Sequence, residues 1–326
     1  MKRNLKIWCN NLFTEAQQNE LNFLRENLGK NELILFAPEE NGKRGESAKV
    51  LREADIAFGA PDVGTAMNVE NLKWIQLSSA GYAPFDRTDF KEKLKQRGGI
   101  VTNSSAVYNE PCAQHILAMM LGLARFLPAA LDDQRTAKSW KQNEIRNESY
   151  LLNGQTAIIF GFGSIGKRLA ELLAPLNMNL IGVKRTVRGD EAIRIVSPAE
   201  SDALLPEADH VINILPANDS TNNFFDAKRL SKIKKSAKFH NIGRGTTIDQ
   251  NALMAKLENG HIAAAYLDVT NPEPLPPGDP LWTTANCYIT PHTAGGHTTE
   301  KIRQVEHFLN NFRCFVKDEN LIDRVF

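Results

Sequence analysis

Cysteine is scarce and never arranged in a motif. Cys9, Cys112, Cys287 and Cys314 lie far apart with no Cys-x-x-Cys spacing. That excludes a zinc ribbon and a disulfide scaffold, leaves no metal expected, and fits a reducing, cytoplasmic setting. A surplus of one charge is also missing: 39 Lys and Arg stand against 38 Asp and Glu, for a net +1. Bulk electrostatics therefore draw the chain neither to nucleic acid nor to an anionic membrane. Long apolar runs are absent. The basic start MKRNLKIWCNNLF lacks the roughly 7–15 apolar residues of a signal peptide. The most apolar helix-like stretch, Ile116–Leu127, is interrupted by Arg125 and is too short to span a bilayer.

What is there is an alternation of short apolar runs and helical patterns, which argues for parallel α/β sheets. At roughly 100–200 residues per domain, 326 residues suggest two domains. In the first hundred residues KIWCNNLF, ELILFA, ADIAFGAP, LKWIQLSSAG and GGIVTN read as strands. Thr14 and Gln17 form a capping box before a helix carrying Leu21, Phe23, Leu24 and Leu28, which Gly29 ends. The segment 111–127 is apolar nearly all round, as in a helix buried in a core or at an interface. Residues 132–150 are polar and show no strong apolar period.

A second α/β region then opens abruptly at QTAIIFGFGSIG. The last thirty residues form an amphipathic helix, with Ile302, Val305, Phe308, Leu309 and Phe312 as its apolar stripe. It is too small to be a domain, so it must pack on something already built. One arrangement makes the central region an insert, after which the chain returns to complete the first domain.

GFGSIG, residues 161–166, follows an apolar strand and opens a helix at Ser164 or Ile165. Gly161 allows the tight turn, Gly163 lets the backbone approach a pyrophosphate, and Gly166 allows close helix–strand packing. The phosphates then meet free N–H groups at the positive helix end. Such a unit expects an Asp or Glu about 20 residues on, holding the ribose 2′-hydroxyl. Here the position offers Lys184, Arg185 and Thr186 instead.

Other polar residues fall just past later strands, where open α/β sheets bind ligands. Arg244 lies between two glycines in NIGRGTTID. Asp268 ends AAAYLD, Glu273 sits on the loop that follows, and His292 follows the strand in YITPHTAGG. Singly, each has an ordinary explanation: a surface ion pair, a solvated loop carboxylate, a histidine at a helix start. The case rests on the set.

That set resembles the D-2-hydroxyacid dehydrogenase family. GFGSIG, ILPANDSTNNFF, NIGRGTTIDQNAL, AAAYLDVTNPEPLPPGDPLW and YITPHTAGG occur in the family's order and at family-like spacing, and LKWIQLSSAG looks like its substrate loop. The resemblance implies that Arg244 binds a substrate carboxylate through its planar fork. It makes His292 the general acid or base, with Glu273 orienting it and favouring its protonated form. Asp268 would hold the nicotinamide carboxamide, and Leu215, Pro216, Thr221, Ile242 and Gly243 would join the turn glycines, Ser164 and Ile165 around the cofactor. The backbone of Ser79, Ala80 and Gly81 would donate to the substrate carboxylate.

The implied fold is two Rossmann-like or flavodoxin-like domains. A dinucleotide-binding domain, 101–292, would be inserted into a substrate domain formed by 1–100 and 293–326. The helix 111–127 would bridge the two and pack a homodimer.

NAD-using relatives commonly carry an Asp near Lys184. Lys184 and Arg185, with Thr186 adding a hydroxyl and Arg188 a candidate to extend the patch, would instead attract a 2′-phosphate, so NADP(H) is expected over NAD(H). The expected reaction is reduction of a small 2-oxo acid such as glyoxylate, hydroxypyruvate or 2-oxoisovalerate. The alternatives are an NAD-dependent phosphoglycerate-type dehydrogenase and a non-catalytic, corepressor-like cofactor sensor. Formate dehydrogenase relatives carry Gln where this chain has Glu273. A further departure is Ala113–Gln114, where family members often have Ala-Glu, which puts a helix-packing contact in question. Ala60, Tyr82 and Trp282 are candidates to line the substrate pocket.

Overall fold

The structure, a computed structural model, describes residues 4–36, 44–187, 189 and 191–326. Two compact units result: Met1–Tyr108 with His297–Phe326, and Asn109–Gly296.

The first unit is built on a five-stranded sheet of β1 (Lys6–Cys9), β2 (Glu32–Leu35), β3 (Ile56–Phe58), β4 (Trp74–Gln76) and β5 (Ile100–Thr102), in the order β2-β1-β3-β4-β5. All pairs are parallel; Ile7, for example, pairs Leu33 on one side and Ile56 on the other. Helices cover both faces of a parallel sheet, so its strands are apolar throughout. Accordingly β3 and β4 are buried at every position. The capping turn forms, with the Thr14 N–H donating to Gln17 Oε1 at 3.2 Å, and it leads into helix Gln18–Asn27. Leu21, Leu24 and Leu28 are buried, whereas Phe23 lies on the outer face of that helix, 37% exposed.

The C-terminal helix Glu300–Lys317 packs in this same unit, burying Val305, Phe308, Leu309 and Phe312. The Phe308 ring stacks on Phe58 at 4.2 Å and on Trp74 at 5.1 Å. Burying one such ring is worth about 1.5–3 kcal/mol, enough to hold a helix far away in sequence.

The second unit carries a seven-stranded parallel sheet of β6 (Thr156–Phe160), β7 (Asn179–Val183), β8 (Arg194–Val196), β9 (His210–Asn213), β10 (Lys238–Asn241), β11 (Ala264–Leu267) and β12 (Cys287–Ile289). The order is β12-β11-β10-β9-β6-β7-β8, so β6 has β7 on one side and β9 on the other. The chain reverses direction across the sheet between β6 and β9. The crevice beyond their carboxyl ends is the topological switch point, where such sheets bind ligands. GFGSIG follows β6, and Leu215–Pro216 follows β9.

The boundary between units falls within the helix Ser105–Ala124, which buries Ala113, Ile116 and Met120 and leaves Leu121 39% exposed. The polar stretch beyond it folds into helices Leu127–Arg135 and Gln142–Glu148, neither with a buried residue. Among the described residues no single helix is long and apolar enough to cross a membrane.

Candidate active site

Each candidate side chain is set by the backbone at the end of a strand. After β6, Gly161 takes φ +85°, and a Cβ there would stand 2.7 Å from the Ile214 carbonyl oxygen. Only glycine fits that turn. Gly163 caps helix Ser164–Leu173, whose first-turn amides the helix cannot satisfy itself. After β9, Leu215 N–H donates to Asn213 Oδ1 at 3.1 Å, and the Thr221 hydroxyl donates to Pro216 O at 2.6 Å. After β10, Ile242 N–H bonds Asn213 O at 3.1 Å and Gly243 N–H bonds Asn241 Oδ1 at 3.0 Å.

Arg244 comes next, its guanidinium donating to Gly243 O at 2.6 Å. A Cβ at Gly245 would lie 1.9 Å from Thr270 O, so the loop bearing Arg244 sits directly on the loop that bears Glu273. Glu273 Oε1 accepts from Thr270 N–H at 3.1 Å, and Oε2 lies 3.1 Å from His292 Nδ1. The carboxylate thus holds one imidazole nitrogen, leaving Nε2 to act on something else. His292 is 52% exposed and Glu273 37% exposed. The His292 backbone has φ +52°, in the left-handed region. Its N–H donates to Asp268 O at 2.8 Å and Thr290 O at 3.0 Å.

Asp268 itself is 2% exposed and is largely occupied by its own chain: Thr290 Oγ1 donates to Oδ1 at 2.6 Å, Thr293 N–H to Oδ1 at 2.9 Å and Ala294 N–H to Oδ2 at 3.0 Å. At the end of β7, Lys184 lies 3.9 Å from Glu191, a carboxylate only 8% exposed, while Arg185 and Thr186 are exposed. Arg188 lies outside the described residues.

In the first unit the loop after β4 has an unusual hydrogen-bond pattern. Ser78 O accepts from Tyr108 Oη at 2.9 Å, Ser79 O from Ser104 N–H at 3.0 Å, and Ala80 O from Asn103 Nδ2 at 2.7 Å. In a planar trans peptide the next residue's N–H points opposite to the carbonyl. The N–H groups of Ser79, Ala80 and Gly81 are thereby turned away from those partners, and among the described residues none of them meets an acceptor. Tyr82 packs against the core of this unit, and Ala60 is exposed. Trp282, in the second unit, is tied by its indole N–H to Pro276 O at 2.9 Å.

Comparison with known proteins assigns this architecture. Residues 117–294 match the family model of the D-isomer specific 2-hydroxyacid dehydrogenase NAD-binding domain. The chain belongs to the D-isomer specific 2-hydroxyacid dehydrogenases. It is therefore an NAD(P)-dependent dehydrogenase acting on CH–OH groups. An uncharacterized protein of Corynebacterium melassecola is 36% identical over 86% of this chain and 91% of its own. The glyoxylate reductase of Korarchaeum cryptofilum is 31% identical over 74% of each chain. Among solved structures, the NADPH-dependent glyoxylate/hydroxypyruvate reductase of Sinorhizobium meliloti, in complex with NADP and malonate, shares the fold. Its TM-score is 0.73 at 23% identity, over 99% of this chain and 97% of its own.

Within this dehydrogenase several supporting residues escape a reading of the sequence. Asn213 and Asn241 end apolar strands; Asn213 Nδ2 donates to Asn241 Oδ1 at 3.0 Å and to Thr247 Oγ1 at 2.7 Å, pinning the ends of β9 and β10 together. A polar residue closing an otherwise apolar strand beside a motif is the signal that could have found them. Where relatives often carry Ala-Glu, Gln114 donates to Glu110 at 2.6 Å, and Glu110 accepts from Arg168 of the helix after GFGSIG at 2.5 Å. The helix-packing contact is made by Glu110, one turn earlier.

Proposed function

We propose that this dehydrogenase is an NADP(H)-dependent reductase of small 2-oxo acids of the glyoxylate and hydroxypyruvate type. The second unit would be the coenzyme domain and the first the substrate domain. The observation that carries the reading is the His292–Glu273 pair at 3.1 Å, with Glu273 on a loop packed against the one bearing Arg244. Both loops follow strands of the sheet that carries the GFGSIG turn.

The residues fit a dinucleotide. The tight Gly161 turn and the first-turn amides of helix Ser164–Leu173 form a cradle for phosphates, with Leu215, Pro216, Thr221, Ile242 and Gly243 on the neighbouring strand ends. The acceptor capacity left on Asp268 Oδ2 suits a carboxamide N–H. When bound, a reduced nicotinamide supplies the hydride, and the protein supplies position and charge.

Arg244 binds the carboxylate of the 2-oxo acid and polarises its carbonyl. The amides of Ser79, Ala80 and Gly81 bind carboxylate oxygen in the same way that helix-end amides bind phosphate. His292, held at Nδ1 by Glu273, gives its Nε2 proton to the carbonyl oxygen as the alcohol forms, and takes it back in the reverse reaction.

Coenzyme choice turns on Arg185 and Lys184. Glu191 partly answers the charge of Lys184, so Arg185 is the freer cation and the stronger attraction for a 2′-phosphate. The exposed apolar residues Leu121, Leu127, Leu131 and Trp140, on and after the helix Ser105–Ala124, suit a homodimer face. The four free thiols suit the cytoplasm.

The test is loss of NADPH or NADH absorbance with a panel of 2-oxo acids. We expect faster turnover with NADPH. Arg185→Ala should weaken NADPH binding by about tenfold or more, the scale of a lost charge-assisted hydrogen bond, with little change for NADH. Equal kinetics with the two coenzymes would refute the coenzyme assignment. Retained coenzyme binding with no turnover on any acid would favour a sensor over an enzyme.

A further inference from the structure

Behind Asp268 stands a buried polar chain that no single motif contains. Tyr266, on β11, is fully buried and forms a short hydrogen bond with Thr290 Oγ1 and another with His115 Nε2. His115 Nε2 also lies 3.2 Å from Thr290 Oγ1 and 3.7 Å from Asp268 Oδ1. The His115 side chain is 23% exposed. Burial pushes the Tyr266 phenol up and the His115 imidazolium down, so both are neutral near pH 7.

A carboxylate only accepts, which sets the direction of the whole chain. The order that satisfies each group runs from His115 Nε2–H to Tyr266 Oη, from Tyr266 Oη–H to Thr290 Oγ1, and from Thr290 Oγ1–H to Asp268 Oδ1. Asp268 in turn holds the amides of Thr293 and Ala294. His292 is thus bracketed between residues tied to one carboxylate. Its left-handed backbone, φ +52°, costs on the order of 1–2 kcal/mol and persists only where its surroundings over-determine it.

We propose that His115, Tyr266 and Thr290 are positioning residues: acting through Asp268, they hold the segment Thr290–Ala294 so that His292 keeps its left-handed backbone and its contact with Glu273. The inference rests on His292 being the proton donor of the proposed reaction. Loosening the network displaces the imidazole while leaving the phosphate cradle and Arg185 untouched. The loss therefore falls chiefly on turnover, since small misplacements of a reacting group cost rate steeply; coenzyme binding, carried by the phosphate cradle and Arg185 with one carboxamide contact at Asp268 Oδ2, changes little.

The experiment compares the wild type with Tyr266→Phe, which keeps the ring, and with Thr290→Val and Thr290→Ser. Tyr266→Phe and Thr290→Val should lower kcat about tenfold or more with KM for NADPH within about twofold, and Thr290→Ser should restore most of the rate. Unchanged kcat in Tyr266→Phe and Thr290→Val would overturn the proposal. So would a fall in kcat that tracks a lowered Tm and raised KM and that Thr290→Ser does not rescue. The His292 Cε1–H NMR signal, assigned with His292→Asn, is read in the same proteins. A shifted or broadened signal in Tyr266→Phe supports the network, and an identical one refutes it. If the wild type turns over no 2-oxo acid, the functional reading fails, while the NMR signal still decides the network.

Discussion

The loop Ser78–Gly81 in the first unit and the segment Thr290–Ala294 in the second are held by opposite ends of the peptide. In the first, side chains and one amide capture consecutive carbonyls, from Tyr108, Ser104 and Asn103. That leaves main-chain N–H groups free. In the second, Asp268 captures the amides of Thr293 and Ala294, and its carbonyl takes that of His292. That leaves a side chain, His292, as the presented group. A planar peptide fixed at one end aims the other. A segment that binds an anion with its backbone therefore needs donors behind it, and one that presents a base needs acceptors behind it. The difference predicts where substitutions bite hardest: at the presented residue in the second unit, with smaller losses behind it, and at residues behind the loop in the first.

The largest effect belongs to the presented side chain. His292→Asn should lower kcat by about 10²–10⁴, the usual contribution of a general acid or base, with coenzyme KM within about twofold. Steady-state kinetics with NADPH and the best 2-oxo acid measure it. A His292→Asn enzyme with near wild-type kcat would remove the second half of the comparison, because the segment would then present nothing that reacts.

In the first unit the sensitive residue stands behind the loop. Asn103→Ala frees the carbonyl of Ala80 and should raise KM for the 2-oxo acid about tenfold while leaving KM for NADPH unchanged. A few-fold to hundredfold loss is the scale of one misdirected hydrogen bond to a charge. If Asn103→Ala instead changed kcat alone, the loop would be acting on chemistry and the two segments would not divide the work as argued.

What was legible in the sequence follows the same division. The Gly161 turn, Arg244, Glu273 and His292 stand out because a backbone-built site needs glycine or a short turn at a fixed offset from a strand, and such offsets survive in one dimension. The network behind them does not. Tyr266 in AAYL reads as a core aromatic, and His115 lies in the middle of an apolar helix. His115 meets Tyr266 and Thr290 across 151 and 175 residues of chain. Asn103 and Tyr108 gain their meaning only from Ser78–Gly81, more than twenty residues earlier. Strand β8 is not legible in the sequence, because Arg194–Val196 is short and polar at one end and is fixed by pairing with β7 rather than by its own pattern. Lys184 and Arg185 were visible as missing acid; that Glu191 folds back on Lys184 was not.

The smallest effect sets the buried histidines of the two units against each other. In the first, His307 Nε2 lies 3.1 Å from Asn103 O and 3.4 Å from Asp323, so a carboxylate is at hand. In the second, among the described residues His210 and His240 hydrogen-bond only each other at 3.1 Å and Gln155 at 2.9 Å, and His240 Nδ1 is buried without a partner. Burial pushes His240 down to about 3 and His210 well below the ordinary range. Well above pH ~6.5 neither the folded nor the unfolded chain protonates these rings, and stability is full. As pH falls through ~6.5 the unfolded chain takes up protons that the folded chain refuses, so stability is lost, by about 2 kcal/mol for His240 between pH ~7.5 and ~5 and in the same direction for His210. Tm should therefore fall by several degrees over that interval, and His240→Leu should reduce the slope by about half, because one of the two refusing groups is gone. Thermal unfolding at pH 7.5, 6.5, 5.8 and 5 reads this directly. A Tm flat across the range, or a slope unchanged in His240→Leu, would mean that the pair is hydrated in solution and that its burial does not set the pH dependence.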